Sequence, residues 1–181
     1  MAYSAGVLLA RRAIWLLLAI PLGCASPGPG APGGNATAAG SEPWSALYQL
    51  DLPAGWKRVA DPENRADLQA EHESGLAWLI VRSTTGPSIR LEDVVAARRE
   101  AVFEADPVLD YRETRSYHRK KSGVAASLAR YQLRTTTLLV MTAVDGTVAV
   151  ECIGGTVPGT TQERELLALF ESLRFVEGAS K

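Results

Sequence analysis

Hydrophobic and polar residues alternate along several short stretches of the chain, which is the pattern of strands with one buried face. The alternation covers residues 46–52, 66–71, 108–117 and 125–133. Residues 77–82, which read AWLIVR, form a continuous apolar run that predicts a central strand. These stretches together predict a sheet.

Two further runs, 137–144 and 147–154, are apolar and β-branched and predict a tight hairpin. Asp145 and Gly146 between them are a strong hairpin signal, because both turn positions need a positive φ. An earlier hairpin loop is predicted at residues 71–75.

Two stretches carry apolar residues at helical spacing. The first begins near Leu91 and is closed by Asp106-Pro107, because the residue before a proline avoids the helical region. The second covers residues 160–175, where Thr160 and Glu163 form a predicted capping box. The predicted buried faces are Leu91, Val94, Val95, Ala101, Val102 and Ala105 in the first helix, and Leu166, Leu169, Phe170 and Leu173 in the second.

The N-terminal segment has the pattern of a secretory signal, with a positive start, a short apolar core and small residues before a break. Arg11 and Arg12 provide the charge, and residues 13–24 read AIWLLLAIPLGC. A membrane-spanning helix needs about 20 apolar residues, so this core is too short to cross a bilayer. We expect residues 1–23 to be a signal peptide.

The end of this segment, Pro21-Leu22-Gly23-Cys24, resembles the lipobox of bacterial lipoproteins. Gly23 and Cys24 match the motif, whereas Pro21 and Leu22 depart from it. The resemblance implies that Cys24 carries a diacylglyceryl group and becomes the first residue after cleavage. Several acyl chains on one cysteine would anchor the protein durably, since one chain holds only weakly. The alternatives are a general signal peptidase with Cys24 incidental, and twin-arginine export, which the neighbours of the arginine pair fit poorly.

Residues 24–45 are rich in Gly, Pro, Ala and Ser and lack periodic apolar residues. Such a segment cannot bury enough surface to offset the entropy of ordering, so it is interpreted as a flexible tether. The folded domain is predicted at residues 46–177, with a disordered tail at 178–181. Cys24 is followed by Ala25 and Ser26 rather than Asp. By resemblance to Gram-negative lipoproteins, this favours the outer membrane, facing the periplasm, over the inner membrane.

Charge and cysteine content narrow the possible chemistry. The net charge of −1 and the pI of about 6.1 argue against nucleic acid as a partner, because phosphate binding needs a basic surplus. Cys152 lies in an apolar run and is interpreted as a buried core thiol. A catalytic thiol needs a nearby base, and His72 and His118 are the two histidines of the chain.

Two groups of polar residues are candidates for binding. Glu71, His72 and Glu73 are metal-ligand types, but three successive residues of a strand point to alternating faces. We therefore expect no metal and no other cofactor. A basic cluster could contact an acidic partner or anionic headgroups, or could be a solvated hairpin tip; it consists of Arg115, His118, Arg119, Lys120 and Lys121. The tryptophans Trp44, Trp56 and Trp78 are expected to pack in the core or at its edge.

The motifs LPAGW at 52–56, LED at 91–93, GVAA at 123–126 and FESLRF at 170–175 resemble those of the PsbP-like family. This family includes photosystem II extrinsic proteins, a Ran-binding transport factor and bacterial lipoproteins of unknown role. The resemblance covers residues 47–176 and implies an α+β fold, an antiparallel β-sheet with helices packed on it as an α/β/α sandwich. None of these motifs is catalytic, so no active-site residue carries over.

Three classes of function remain open. The favoured hypothesis is a membrane-tethered, non-enzymatic domain that binds a protein partner in the cell envelope. The second is a small-ligand carrier that uses a groove between sheet and helices, which predicts a sizeable apolar cavity. The third, an enzyme, is least favoured because phosphate-loop, nucleophile-elbow and zinc-site spacings are absent from the sequence.

Overall fold

The computed structural model describes residues 45–61, 66–115 and 124–176. In chain order the elements are β1 (Tyr48–Gln49), β2 (Trp56–Arg58), β3 (Leu68–His72), β4 (Ala77–Thr85), α1 (Leu91–Ala105), β5 (Asp110–Arg115), β6 (Ala125–Gln132), β7 (Thr137–Asp145), β8 (Val148–Thr156), α2 (Gln162–Glu171) and β9 (Arg174–Phe175). In this part of the chain, no helix is both long and apolar enough to span a membrane.

Seven strands form one antiparallel sheet in the order β2-β3-β4-β8-β7-β6-β5. Two meanders, β2–β4 and β5–β8, build it, and a nine-residue ladder between β4 and β8 joins them. This ladder runs from the pair Ala77 and Thr156 to the pair Thr85 and Val148. The short strands β1 and β9 pair with each other in a second sheet, with Tyr48 opposite Phe175.

The two helices pack on opposite faces of the large sheet. Val102 of α1 packs in a cluster with Val140 of β7, whereas Leu166 of α2 packs in a cluster with Leu139 of the same strand. Because successive strand residues point to opposite faces, the two clusters lie on different sides of the sheet. The predicted α/β/α arrangement is therefore confirmed.

The β7–β8 hairpin is confirmed, but its turn lies one residue later than predicted. Asp145 still belongs to the ladder and pairs with Val148, so Gly146 and Thr147 are the two turn residues. Gly146 has a φ of 61°. A glycine at the first turn position is enough to reverse the chain, because it adopts this conformation without steric cost.

The predicted closing helix over 160–175 is wrong at both ends. The helix covers Gln162–Glu171, and the chain then becomes strand β9. The capping box is also wrong, since the Thr160 hydroxyl donates to the carbonyl of Val157 and the Glu163 carboxylate binds Arg130. The residues after the helix form a strand because they pair with β1. Helical spacing within residues 160–175 cannot reveal a partner that lies so far away in the sequence.

The remaining elements agree with the predictions apart from their lengths. The first helix begins at Leu91 and ends before Asp106, as expected. Its buried face differs from the prediction, because Ala105 is exposed whereas Arg98 is buried. The stretch predicted at 46–52 contains only the two-residue β1. The predictions for residues 1–44, 116–123 and 177–181 lie outside the described residues.

The large sheet has two distinct ends. At the end that we name the loop end, Ala77, Thr156 and Thr137 lie side by side in neighbouring strands, together with the β3–β4 loop at residues 73–76. Helix α2 begins just after Thr156 and runs back along the sheet. Strand β9 and its partner β1 therefore lie toward the other end, which we name the terminal end.

Candidate functional site

A compact polar cluster lies at the loop end, on the face that α2 covers. Trp56 of β2 and His72 of β3 are directly paired, and their rings meet edge to face with centroids 5.6 Å apart. Both rings point a nitrogen at the same carboxylate oxygen of Glu165 on α2, at 3.3 Å from Trp56 Nε1 and 3.4 Å from His72 Nε2. Glu165 therefore links the first two strands of the sheet to the start of α2.

The β3–β4 loop fixes the other side of the imidazole. The Ser74 hydroxyl lies 2.7 Å from His72 Nδ1, and the Ser74 backbone N–H donates to the same nitrogen at 3.2 Å. Since Nδ1 accepts a backbone N–H, the tautomer that carries its proton on Nε2 is the one that fits this loop, and Nε2 is the nitrogen that faces the Glu165 carboxylate. The sequence of contacts is Ser74, His72, Glu165.

Gly55 allows the histidine ring to lie this close to the backbone. Its φ is 88°, and a Cβ atom at this position would lie 2.9 Å from His72 Nε2. The carbonyl of Gly55 also accepts a 2.7 Å hydrogen bond from the N–H of Glu73. A side chain here would clash with the His72 ring nitrogen that faces Glu165, so the glycine of the PAGW motif contributes to the site as well as to the turn.

The cluster is mostly enclosed, but its rim is open. The His72 side chain is 12% exposed and that of Glu165 is 36% exposed. Leu76, two residues after Ser74, is one of the large apolar residues on the surface, with 36% exposure. The open part of the cluster therefore carries carboxylate and hydroxyl groups, and the loop that contacts it also carries an exposed apolar side chain.

The residues predicted from the sequence as possible sites do not converge. Arg115 ends strand β5, at the opposite edge of the sheet, while Cys24, His118, Arg119, Lys120 and Lys121 lie outside the described residues. Glu71 pairs with Trp78 and His72 pairs with Trp56, so the predicted alternation separates Glu71 from His72. No group of three potential metal ligands is found among the described residues.

Cys152 is fully buried, as predicted. Burial, and to a lesser degree the carboxylate of Glu151, raise the pKa of its thiol far above the ordinary value. Trp56 is also buried, and Trp78 packs against the cluster under α1, so both occupy core or core-edge positions as expected. Glu165 was missed, because no spacing rule connects residues separated by 93 or 109 positions.

Comparison with known proteins agrees with this architecture. No protein-family model matches the chain, and no curated protein matches it. The solution structure of cyanobacterial PsbP (CyanoP) from Synechocystis sp. PCC 6803 is similar, with a TM-score of 0.56 at 14% sequence identity, over 81% of this chain and 98% of that one. The chain has a PsbP-like fold.

A second solved structure resembles the chain less closely. It is a crystal structure from Bacteroides thetaiotaomicron VPI-5482, with a TM-score of 0.49 and 17% identity, over 80% of this chain and 51% of that one. The PsbP-like fold predicted from the sequence motifs is thus confirmed by the CyanoP structure, which at this identity informs on the fold alone.

Proposed function

We propose that the protein is a lipid-anchored lipoprotein of the bacterial cell envelope, whose PsbP-like domain binds a protein partner without catalysing a reaction. The signal-like N-terminus and the lipobox-like Gly23-Cys24 support the anchor. The residues after Cys24 support the outer membrane, with the domain facing the periplasm.

The observation that supports this proposal is the distance along the sheet between the polar cluster and the start of the described chain at residue 45. The proposed tether would join the domain at residue 45, beside β1, and β1 lies toward the terminal end. The cluster of Trp56, His72 and Glu165 lies at the loop end. A domain held at one end presents the other end to neighbouring molecules.

The rim of the cluster has the composition of a protein contact surface. Leu76 is an exposed apolar side chain on the loop that also carries the exposed Glu73 and Ser74, and Ser74 contacts His72 of the cluster. Such an arrangement of an apolar centre and a polar rim is typical of protein interfaces. We expect a partner with a small apolar pocket and hydrogen-bond donors around it.

The backbone of the loop argues against acyl-transfer chemistry by Ser74 and His72. Catalysis of this type needs unoccupied N–H donors to stabilise an oxyanion. The N–H groups of the loop are occupied: Glu73 donates to Gly55, Ser74 to the His72 ring, Gly75 to the His72 carbonyl and Leu76 to the Ser74 hydroxyl. The contact between Ser74 and His72 is therefore interpreted as a loop-stabilising one.

Site-specific photo-crosslinking in intact cells tests the proposal. A photoreactive residue at Leu76 should give a discrete adduct of constant mass, whereas the same residue at exposed Arg174, toward the terminal end, should not. Replacing Glu73 by Lys in the Leu76 probe should reduce the adduct several-fold. Equal, diffuse labelling from Leu76 and Arg174 would contradict partner binding at the loop end.

The anchor is tested separately by the mass of the N-terminal peptide from the membrane fraction. The expected mature chain begins at acylated Cys24. A chain that begins elsewhere, or an unmodified Cys24, would remove the anchor from the proposal and leave the loop-end contact to be judged by crosslinking.

A further inference from the structure

A single ring nitrogen of His72 holds the β3–β4 loop. Nδ1 lies 2.7 Å from the Ser74 hydroxyl and accepts the Ser74 backbone N–H at 3.2 Å. The Ser74 hydroxyl oxygen in turn accepts the backbone N–H of Leu76, also at 3.2 Å. Two hydrogen bonds therefore connect the ring to the exposed Leu76, so a change of protonation at Nδ1 reaches the surface of the loop.

The neutral ring leaves the loop with a hydrogen-bond acceptor. Nδ1 then carries no proton, so the Ser74 hydroxyl donates to it. A hydroxyl oxygen has two lone pairs, and one of them receives the Leu76 N–H. The second lone pair is left for a group outside the loop. The neutral state of His72 therefore presents Ser74 as an acceptor.

A second proton on the ring reverses the direction of the 2.7 Å contact. Nδ1–H now donates, and the Ser74 oxygen uses both of its lone pairs, one for the ring and one for the Leu76 N–H. The Ser74 O–H is then free to donate outward. The Ser74 backbone N–H also loses its acceptor, because a protonated ring nitrogen only donates. The loop thus exchanges one free acceptor for two free donors.

We propose that His72 is a proton-dependent switch of the β3–β4 loop, in which uptake of a second proton turns Ser74 from an acceptor into a donor and weakens the partner contact at Leu76. The inference rests on the proposed function, in which the partner brings hydrogen-bond donors to this loop. Those donors meet an acceptor when the ring is neutral and other donors when it is charged. Histidine suits this role because its charge ordinarily changes between pH 5 and 8.

Charged groups from three neighbouring elements lie around the ring. They are Glu165 of α2, Glu73 of the loop, whose carboxylate lies near the same side of Gly55 as the ring, and Arg58 of β2, two residues beyond Trp56 on the same face. Residues 77–81 of β4 are all apolar. Because the two carboxylates can also take up protons, a control for the switch must keep both of them.

His72→Asn is the matched control. The Asn side-chain oxygen is bonded to Cγ, as Nδ1 is in histidine, and it can accept an N–H two residues on, as in an Asx turn. An amide does not titrate, so this variant keeps the loop in the state of the neutral ring and leaves Glu73 and Glu165 unchanged. A second variant, Ser74→Ala at an exposed position, keeps the backbone N–H that Nδ1 accepts and removes the hydroxyl.

NMR spectroscopy of the full chain in mild detergent, from pH 8 to pH 5, tests the change in the loop. The Ser74 amide proton should move upfield as the His72 ring titrates, in the wild type and in Ser74→Ala, because it loses its acceptor. It should stay in place in His72→Asn. The amides of Glu73 and Gly75 should move far less, since their acceptors are backbone carbonyls.

A Ser74 amide that does not follow the ring, or that moves equally in His72→Asn, would overturn the proposal. So would a neutral ring whose Nδ1 nitrogen resonance shows it to be protonated. If His72→Asn does not fold, the comparison of Ser74 with Glu73 and Gly75 in the wild type and in Ser74→Ala decides.

The photo-crosslinking probe at Leu76 tests the effect on the partner. With His72 present, cells in medium at pH 5.5 should give several-fold less adduct than cells at pH 7.5, whereas His72→Asn should give equal yields. Equal yields with His72 present would overturn the switch and leave the partner contact intact. No adduct at either pH would contradict the partner contact itself, while the NMR titration judges the loop change separately.

Discussion

At the scale of single residues, Gly155 shows how one missing side chain positions another. A Cβ atom on Gly155 would lie 2.4 Å from two atoms of the Trp78 indole, so the ring rests on the backbone of β8. We expect Gly155→Ala to lower the free energy of unfolding by about 1–3 kcal/mol, the usual cost of overpacking. Denaturant unfolding would measure this loss.

The control is Gly86→Ala, at a position where a Cβ would meet only Ile89 at an ordinary 3.4 Å. An equal loss in both variants would show that the effect comes from the glycine backbone and not from Trp78. The sequence predicts a strand over residues 147–154 and a packed Trp78, but not the contact between Gly155 and Trp78, because the register of β4 against β8 decides which residues lie opposite each other.

At the scale of elements, a buried ion pair fixes α1 to the sheet. Arg98 of α1 donates two hydrogen bonds, at 2.9 and 2.8 Å, to the carboxylate of Glu151 on β8, and both side chains are buried. Removing one partner leaves an uncompensated buried charge. We expect Arg98→Met to lower the free energy of unfolding by about 3–5 kcal/mol, measured by urea denaturation.

The double variant Arg98→Met/Glu151→Leu removes both charges and should recover most of that stability, because an apolar pair often replaces a buried ion pair at little cost. A double variant as unstable as the single one would show that the pair contributes more than mutual neutralisation. The start and end of α1 are readable from Leu91 and Asp106-Pro107. The burial of Arg98 could not be predicted from the sequence, because charged residues are normally expected to be exposed.

At the scale of the whole molecule, buried tyrosine hydroxyls make the stability of the folded state sensitive to high pH. Burial raises the pKa of Tyr48 and Tyr131 well above the ordinary value, with nearby charges adding to the effect. In the unfolded chain both titrate near pH 10. The folded state keeps the hydroxyls of Tyr48 and Tyr131 protonated to a higher pH than the unfolded state does. Their contribution to the free energy of unfolding is therefore fully present below about pH 10 and is lost as the pH rises above it.

Each such tyrosine should cost about 1.4 kcal/mol of stability per pH unit above that point. Urea unfolding at pH 9, 10 and 11 would measure the slope, and Tyr131→Phe should reduce it by about one such contribution. An identical slope in Tyr131→Phe would mean that other groups cause the alkaline loss. Cys152 adds to the same trend, since burial also raises its pKa.

The sequence allowed the fold of the whole molecule to be predicted more completely than the candidate site. Alternating strands, two helical stretches and motifs such as LPAGW were enough for the α+β PsbP-like architecture. The site needed His72 beside Glu165, and this contact arises only when α2 folds back over the β2–β3 hairpin. Tertiary proximity of distant residues leaves no periodic trace in a single sequence.

The single ladder between β4 and β8 has a kinetic consequence. Each meander closes through short local loops, whereas joining β4 to β8 requires the chain between them to close a much longer loop. We therefore expect the slow step of folding to be the joining of these two halves along β4 and β8. A chain cut within residues 86–90 would leave those halves as separate pieces, and they would reassemble along the nine paired residues at a rate set by the concentration of each.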